Sequence, residues 1–206
     1  MAEIMDRRVR KTRATLRQCL CRLLKEKKIQ DISVKELAEL ADINRGTFYL
    51  HYRDVYDLLA GIESEMFSQF NGILDRHRPE EIKEHPRKLI MDLLLFIRTN
   101  ADLTQILMGP NGDIQFLNQL REVFRSKIVD PFTRNMQGAR QKDYQYWWAF
   151  VTEGWIGLIK LWVENGTDSP TEELAELLEG TIMTGAAVID PGIRSAERRK
   201  AETAAE

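Results

Sequence analysis

Apolar residues recur every three or four positions along most of the chain, which is the spacing of an amphipathic α-helix. The first such segment places Leu16, Cys19, Leu20, Leu23 and Leu24 on one face, with basic residues between them. The same spacing predicts further helices at 57–74, 87–99, 103–108, 113–136, 142–165 and 171–189. Residues 76–86, which are charged and contain two prolines, are expected to form a loop. The pattern therefore predicts an all-α protein.

Two short helices joined by a tight turn are expected after the first helix. Ser33 and Glu36 have the spacing of a capping box, which predicts that a second helix begins here. Its inward residues would be Val34, Leu37, Ala38 and either Leu40 or Ala41. Asp42 tolerates the left-handed conformation that such turns use, and Asn44 can cap a third helix that begins at Arg45. Two helices joined in this way form a helix-turn-helix.

The segment "SVKELAELADINRGTFYLHYRDVYDLL", together with the basic amphipathic helix before it, resembles the DNA-binding domain of TetR-family transcriptional regulators. The resemblance covers about residues 8–60. It rests on Ser33-Val34, Ala38, Ala41-Asp42-Ile43 and the run from Thr47 to Tyr52. In two places the chain departs from the family pattern, because Asp42 replaces the usual turn glycine and Val55 stands where the family usually has a lysine.

The resemblance implies an N-terminal helix-turn-helix domain at 1–53 and a C-terminal helical domain for ligand binding and dimerisation at 54–190. Residues 191–206 are charged, lack apolar periodicity and are expected to be a disordered tail. The implied function is that of a regulator, most often a repressor, that binds a palindromic operator as a homodimer and is released by an effector. The alternative is a helical interaction or adaptor protein with a degenerate DNA-binding domain.

The third helix is the expected DNA contact, since a recognition helix offers its N-terminal residues to base edges in the major groove. Arg45 can bind guanine through its planar fork, and Gly46 allows close approach of the backbone. Phe48 is expected to face inward, and the same helix is expected to continue through His51 to Tyr52 and Arg53 at its far end. The predicted DNA-binding residues are Ser33, Lys35, Asn44, Arg45, Gly46, Thr47, Tyr49, His51, Tyr52 and Arg53, with a flexible basic arm at 7–11 before the first helix. The aromatic members of this set could instead be plain packing.

Positive charge is concentrated in the N-terminal part of the chain. Residues 1–53 hold 13 Lys and Arg against 7 Asp and Glu, a net charge of +6. The remainder holds 17 against 25, a net charge of −8. A basic domain joined to an acidic one suits binding of a polyanion by the basic domain alone. The alternative is an excess of solvated Lys and Arg on a long first helix.

The helix at 142–165 is apolar around most of its circumference, which is more than one core-facing stripe requires. The resemblance implies that this helix and the next form a four-helix bundle across a two-fold axis, placing two DNA-binding domains about 34–36 Å apart. The predicted interface residues are Gly154, Leu158, Leu161, Leu174, Leu178, Ile182 and Gly185. The alternative is that this helix pair is ordinary core.

The resemblance also implies a small-molecule cavity in the C-terminal domain. Candidate lining residues are Phe67, Phe70, Met91, Phe96, Arg98, Phe116, Trp147, Phe150 and Trp155, with either Arg98 or Tyr146 as a polar anchor. An aromatic and methionine stripe at helical spacing can equally be plain core. The effector itself is not specified by the sequence.

Neither catalysis nor a cofactor is expected. The three histidines are scattered, and the sequence contains no HExxH, GxSxG or Walker motif. Cys19 and Cys21 lack zinc-site spacing, and on a helix they point in different directions, so no metal site or disulfide is expected. With no signal peptide and no apolar run of about 20 residues, we expect a cytoplasmic protein.

Overall fold

The computed structural model describes residues 2–112, 114–130 and 139–189, and the regular structure in these residues is entirely helical. The all-α prediction is confirmed, and the predicted tail at 191–206 lies outside the described residues. The helices are α1 (Ala2–Glu26), α2 (Val34–Leu40), α3 (Arg45–Tyr49), α4 (Val55–Leu74), α5 (Pro79–Glu84), α6 (Arg87–Thr99), α7 (Ala101–Met108), α8 (Ile114–Phe124), α9 (Ala139–Glu164) and α10 (Thr171–Ile189).

The chain divides into two compact units. The first comprises Met1–Phe70 and Asp102–Asn118, and the second comprises Asn71–Ala101 and Gln119–Glu206. Compact units need not coincide with functional domains, so the predicted functional boundary after residue 53 stays a prediction.

The core of the first unit is built from the residues that the periodicity selected. Leu16, Leu20, Leu37 and Phe48 are fully buried, and α2 packs against both α1 and α3. Ala41 rather than Leu40 completes the inward face of α2. Burial of each such side chain contributes roughly 1.5–3 kcal/mol, so this small helical cluster holds α3 in place.

The predictions for residues 7–11 and 76–86 were wrong. The basic residues at 7–11 belong to α1 and do not form a separate arm before it. The expected loop at 76–86 contains α5, because Pro79 occupies the first helical turn, where its missing N–H costs nothing, and Glu80 and Glu81 suit the positive end of the helix dipole.

The second unit is organised around α6, α9 and α10. Helix α10 packs along α6 and against α9, and the buried residues include Leu93, Leu94, Ile159 and Ala175. The helix predicted at 113–136 is regular only as far as Phe124, after which Arg125–Val129 form a π-helical turn. Residues 131–138 are outside the described part of the chain.

Candidate nucleic-acid interface

Helix α2 begins with half of the predicted capping box. The Ser33 Oγ accepts a hydrogen bond of 3.2 Å from the Glu36 backbone N–H, as expected for an N-cap. The Glu36 carboxylate pairs with the ammonium of Lys27 rather than returning a bond to Ser33. This ion pair joins the end of α1 to the start of α2.

The turn between α2 and α3 has the predicted backbone. Asp42 has a φ of +52°, which is the left-handed conformation that Asp tolerates better than most residues. The Asn44 Oδ1 accepts a bond of 2.8 Å from the Gly46 N–H and so caps α3. Both sequence predictions for this turn are confirmed, and together they fix the direction in which α3 leaves the turn.

Phe48 anchors α3 to the core. Its side chain is fully buried, and its ring lies 5.6 Å from the ring of Tyr49 in an edge arrangement and 6.0 Å from that of Tyr52. Because Phe48 faces inward, residues two positions away along the helix must point toward solvent. The predicted inward orientation of Phe48 is confirmed.

The opposite side of α3 is exposed. Arg45 and Gly46 are exposed, Tyr49 is 58% exposed, and Thr47 is half-buried at the edge of this surface. Leu50, which the sequence analysis did not select, is 81% exposed at the end of the helix. Its exposure could have been predicted from the sequence, because it follows the inward-facing Phe48 by two residues and so lies on the opposite side of the helix. We call Arg45, Gly46, Thr47, Tyr49 and Leu50 the α3 surface.

Helix α3 is shorter than the sequence suggested, so three predicted contacts lie beyond it. The helix ends at Tyr49, and His51, Tyr52 and Arg53 belong to the turn before α4. The His51 N–H bonds to the Phe48 carbonyl at 2.9 Å, which closes a tight turn and ends the helix. The expectation that these three residues continue helix three was therefore wrong.

Tyr52 and His51 are both partly buried beside α1. The Tyr52 ring lies 6.0 Å from the Arg13 guanidinium, and a β-carbon at Gly61 would lie 3.8 Å from its Cε1. Burial raises the pKa of the Tyr52 hydroxyl. Burial, followed by the nearby charge of Arg13, lowers the pKa of His51, so its ring is neutral at pH 7. Tyr52 therefore has a packing role within the first unit, and His51 can act there as a neutral hydrogen-bonding group.

Arg53 and Lys35 are exposed but already have acidic neighbours. The Arg53 guanidinium donates to the Asp57 Oδ1 at 3.2 Å, and its side chain is 86% exposed. The Lys35 ammonium lies 3.9 Å from a carboxylate oxygen of Glu39. Exposed pairs of this kind are weak, so both cations remain free to exchange partners.

Val55 occupies the position at which TetR-family regulators usually have a lysine. Its side chain is 5% exposed and forms part of the core at the start of α4, while the next residue, Tyr56, is 53% exposed. The position is thus filled by a packing residue.

A cavity lies within the second unit, with an empty volume of about 800 Å³ including the part that opens to solvent. Side chains from α5, α6, α9 and α10 line it, together with Phe124 and Ile128 from the end of α8 and its π-helical turn. Trp147 and Trp155, which were predicted to bind ligand, lie in its wall.

The other predicted ligand residues lie elsewhere. Phe67 and Phe116 pack together in the first unit, with ring centroids 4.8 Å apart. Phe150 is 71% exposed, and Arg98 is exposed and donates to the Thr171 hydroxyl at 3.3 Å. Phe70, Met91 and Phe96 are buried or half-buried without lining the cavity.

Helices α9 and α10 carry exposed apolar stripes. On α9, Tyr146, Phe150, Gly154, Gly157 and Leu161 follow helical spacing and are all exposed. On α10 the exposed stripe consists of Leu177, Thr181, Thr184 and Val188. We call these two sets the α9 stripe and the α10 stripe.

Only part of the predicted dimer set belongs to these stripes. Gly154 and Leu161 do, and Leu158 is half-buried. Leu174 and Leu178 are buried in the core of the second unit, because α10 turns this face toward α6. Ile182 lines the cavity, and Gly185 approaches Trp147 so closely that a β-carbon would lie 2.5 Å from its Nε1.

Among the described residues, no group of His, Cys, Asp and Glu side chains is arranged to hold a metal ion. None of the helices in this part of the chain is long and apolar enough to cross a membrane. Both cysteines are free thiols, and burial raises the pKa of each.

The family model TetR_C_8, described as a transcriptional regulator C-terminal region, matches residues 84–184. A curated relative, the uncharacterized HTH-type transcriptional regulator YxbF of Bacillus subtilis (strain 168), is 23% identical over 172 residues, which are 79% of this chain. The match spans 42% of that relative's own length.

Solved structures share the fold at low sequence identity. A TetR transcriptional regulator from Streptococcus agalactiae 2603V has a TM-score of 0.60 and 22% identity, covering 88% of this chain and 99% of that one. FadR from Bacillus subtilis, solved in complex with stearoyl-CoA, has a TM-score of 0.59 and 14% identity, covering 84% and 98%. The helix-turn-helix of the first unit and the family-model match over residues 84–184 both point to TetR-type transcriptional regulators, which is the family that this chain resembles.

Proposed function

We propose that the protein binds a palindromic DNA operator as a homodimer and represses transcription in the cytoplasm until an effector enters its C-terminal domain. The observation that carries this proposal is the α3 surface, where an exposed arginine, glycine, tyrosine and leucine stand on a helix held rigidly by the buried Phe48. A rigid helix with an exposed polar and aromatic face suits insertion into the major groove.

The proposed contacts divide by chemistry. Arg45 donates two hydrogen bonds to a guanine edge, and Leu50 packs against a thymine methyl group. Tyr49, Thr47 and the neutral His51 donate to phosphates, which set the register of the helix.

Ser33, whose Oγ accepts the cap bond, still has its hydroxyl proton to donate, and Lys35 adds positive charge at the start of α2. Arg53 can leave Asp57 for a phosphate. Asn44 contributes by capping the helix, and Tyr52 by packing behind it.

The dimer is proposed to form through the α9 stripe and the α10 stripe. The α9 stripe combines large apolar side chains with two glycines, and Gly180 is exposed beside the α10 stripe. Among the described residues, no atom would lie within 4 Å of a β-carbon at Gly154, Gly157 or Gly180. This leaves room for close approach of a second pair of helices. Exposed apolar side chains that follow one face of a helix are typical of protein interfaces, and two-fold symmetry matches a palindromic operator.

An effector is supported by the cavity in the second unit and by precedent. The FadR neighbour was solved with stearoyl-CoA, so the same fold can hold a small molecule. A ligand that binds one conformation of the dimer better than the other shifts the equilibrium toward it, which is how an effector would release DNA.

The proposal is tested on a DNA fragment from upstream of the protein's own gene. We expect tight, salt-sensitive binding that Arg45→Ala weakens about 5- to 150-fold, corresponding to the roughly 1–3 kcal/mol of a bidentate guanine contact. Adding Tyr49→Ala should abolish specific binding, measured by fluorescence anisotropy. Light scattering should show an intact dimer.

Arg22→Ala is the matched control, because it removes an exposed arginine from α1 outside the α3 surface. It should lower affinity only slightly. If the double variant binds as tightly as the original protein and with the same salt slope, α3 is not the recognition helix, and the adaptor alternative gains support.

A further inference from the structure

We propose that the cavity of the second unit takes an uncharged aromatic ligand with at most one or two polar groups. The effector role of that ligand rests on the function proposed above, whereas its chemical class is inferred from the cavity wall alone. The wall combines an aromatic cluster, aliphatic side chains and very few polar atoms.

Three of the four tryptophans in the chain line this cavity, together with a tyrosine and a phenylalanine. The rings of Trp147 and Trp148 lie 4.6 Å apart, and those of Phe124 and Trp155 lie 6.1 Å apart. Tyr144 meets Trp147 edge-on at 6.1 Å. Rings arranged in this way offer both faces and edges to a flat guest, which favours an aromatic ligand over a compact aliphatic one.

The position of Trp147 is fixed by close packing. Gly185 of α10 lies against the Trp147 indole, where a β-carbon would come within 2.5 Å of Nε1 and 3.3 Å of Cδ1. Any side chain at this position would push the indole away from α10. Because Gly185 has no side chain, the Trp147 indole can pack against α10, where it forms part of the cavity wall.

Charge is absent from the sixteen described residues that line the cavity. Besides indole N–H groups, their polar side-chain atoms are the hydroxyls of Tyr144 and Thr152. Moving a charged group from water into such a site without a counter-ion costs far more than two neutral hydrogen bonds return. A hydroxyl or carbonyl on the ligand, in contrast, can be satisfied by Thr152 or Tyr144, and this selects neutral compounds.

The test uses two dyes that share one aromatic frame and differ in charge. N-phenyl-1-naphthylamine is neutral, and 8-anilino-1-naphthalenesulfonate carries a sulfonate. We expect the neutral dye to bind with one molecule per subunit, with enhanced dye fluorescence and quenched tryptophan emission. The anionic dye should bind at least about tenfold more weakly, because its sulfonate finds no partner in the wall.

Val151→Phe is the blocking variant, because Val151 is a half-buried cavity residue of α9. Ala149→Phe is its matched control, since Ala149 is exposed on the same helix and does not line the cavity. The first should lose neutral-dye binding, and the second should keep it. Thr152→Phe provides an independent block if Val151→Phe loses helical circular dichroism.

The inference is overturned if the anionic dye binds as tightly as the neutral one, if the neutral dye does not bind, or if a folded blocking variant retains full affinity. These measurements need no DNA, so they are independent of the proposed function. If the protein binds the neutral dye but does not bind its upstream DNA, the regulator proposal is wrong and the cavity inference still holds. If it binds the DNA but not the dye, the cavity inference is wrong and the regulator proposal still holds.

Discussion

Gly46 is an exposed glycine in α3, the proposed recognition helix, and no contact among the described residues requires a glycine there. A β-carbon at this position would meet only the Asn44 Oδ1, at 3.4 Å. Glycine in a helix costs about 0.5–1 kcal/mol relative to alanine. A glycine that lowers stability and is not required by packing within the chain can be explained if a binding partner comes close to the backbone at that position. For α3, the proposed partner is DNA.

Gly46→Ala should therefore separate stability from binding. The free energy of unfolding in urea should stay unchanged or rise by about 0.5–1 kcal/mol, because alanine favours the helix. Affinity for the upstream DNA fragment should fall several-fold, because the added methyl group would meet the DNA backbone. Gly72→Ala is the control, since Gly72 is exposed in α4 with no atom within 4 Å of a β-carbon. Equal DNA affinity in both variants would show that α3 does not approach DNA closely.

Residues whose structure depends on near neighbours could be predicted from the sequence. Asn44 caps α3 and Asp42 adopts the left-handed turn because both effects are local. Tyr52 was predicted to contact DNA, with plain packing as the alternative, and no role was predicted for Val55. Tyr52 packs beside Arg13 of α1 and Gly61 of α4, and Val55 is buried at the start of α4, so both depend on contacts between helices that periodicity does not specify.

At the scale of single helices, α9 shows why its sequence pattern was ambiguous. One side carries the cavity residues Trp147, Val151 and Trp155, and another side carries the exposed Phe150 and Leu161. Two apolar sides make the helix apolar around most of its circumference, which is the property that predicted an interface. Leu174 and Leu178 of α10, which were assigned to that interface, are already buried within the single chain for a related reason. Periodicity shows that a face is apolar, but it does not show which partner covers that face.

The α9 stripe gives a prediction about assembly. Phe150→Glu combined with Leu161→Glu should convert the dimer to monomers, because two charges on each subunit would be buried at the interface without partners. Sedimentation velocity at micromolar concentration measures the change, and circular dichroism checks that the helices remain. Both residues are exposed in the single chain, so folding of the subunit should be unaffected.

Leu95→Glu is the control for adding charge to an exposed apolar site. Leu95 lies on α6, is 47% exposed and belongs to neither stripe. This variant should remain a dimer. Dissociation of Leu95→Glu, or a dimer that survives both glutamates on α9, would place the interface elsewhere on the molecule.

For the whole molecule, charge and symmetry act together. In the proposed complex, the net charge of +6 on residues 1–53 would attract DNA, whereas the net charge of −8 on the remainder would repel it. One recognition helix of five residues contacts only a few base pairs. Specific binding would then require both subunits, and dimerisation and operator binding would be linked equilibria.

This linkage gives a prediction that combines a change in the operator with a change in the oligomeric state of the protein. Replacing one half-site of the operator with unrelated sequence should remove most of the specific affinity for the dimer, and the monomeric Phe150→Glu, Leu161→Glu variant should show a similar loss on the intact operator. The two losses should not add, because each removes the same second contact. Anisotropy titrations at several salt concentrations measure the affinity of the dimer and of the monomeric variant, each on the intact and on the half-replaced operator. The affinity of the monomer should also depend less steeply on salt concentration, since the monomer neutralises fewer phosphates. Additive losses would mean that one subunit already occupies the whole site, and the two-fold arrangement on a palindrome would then be wrong.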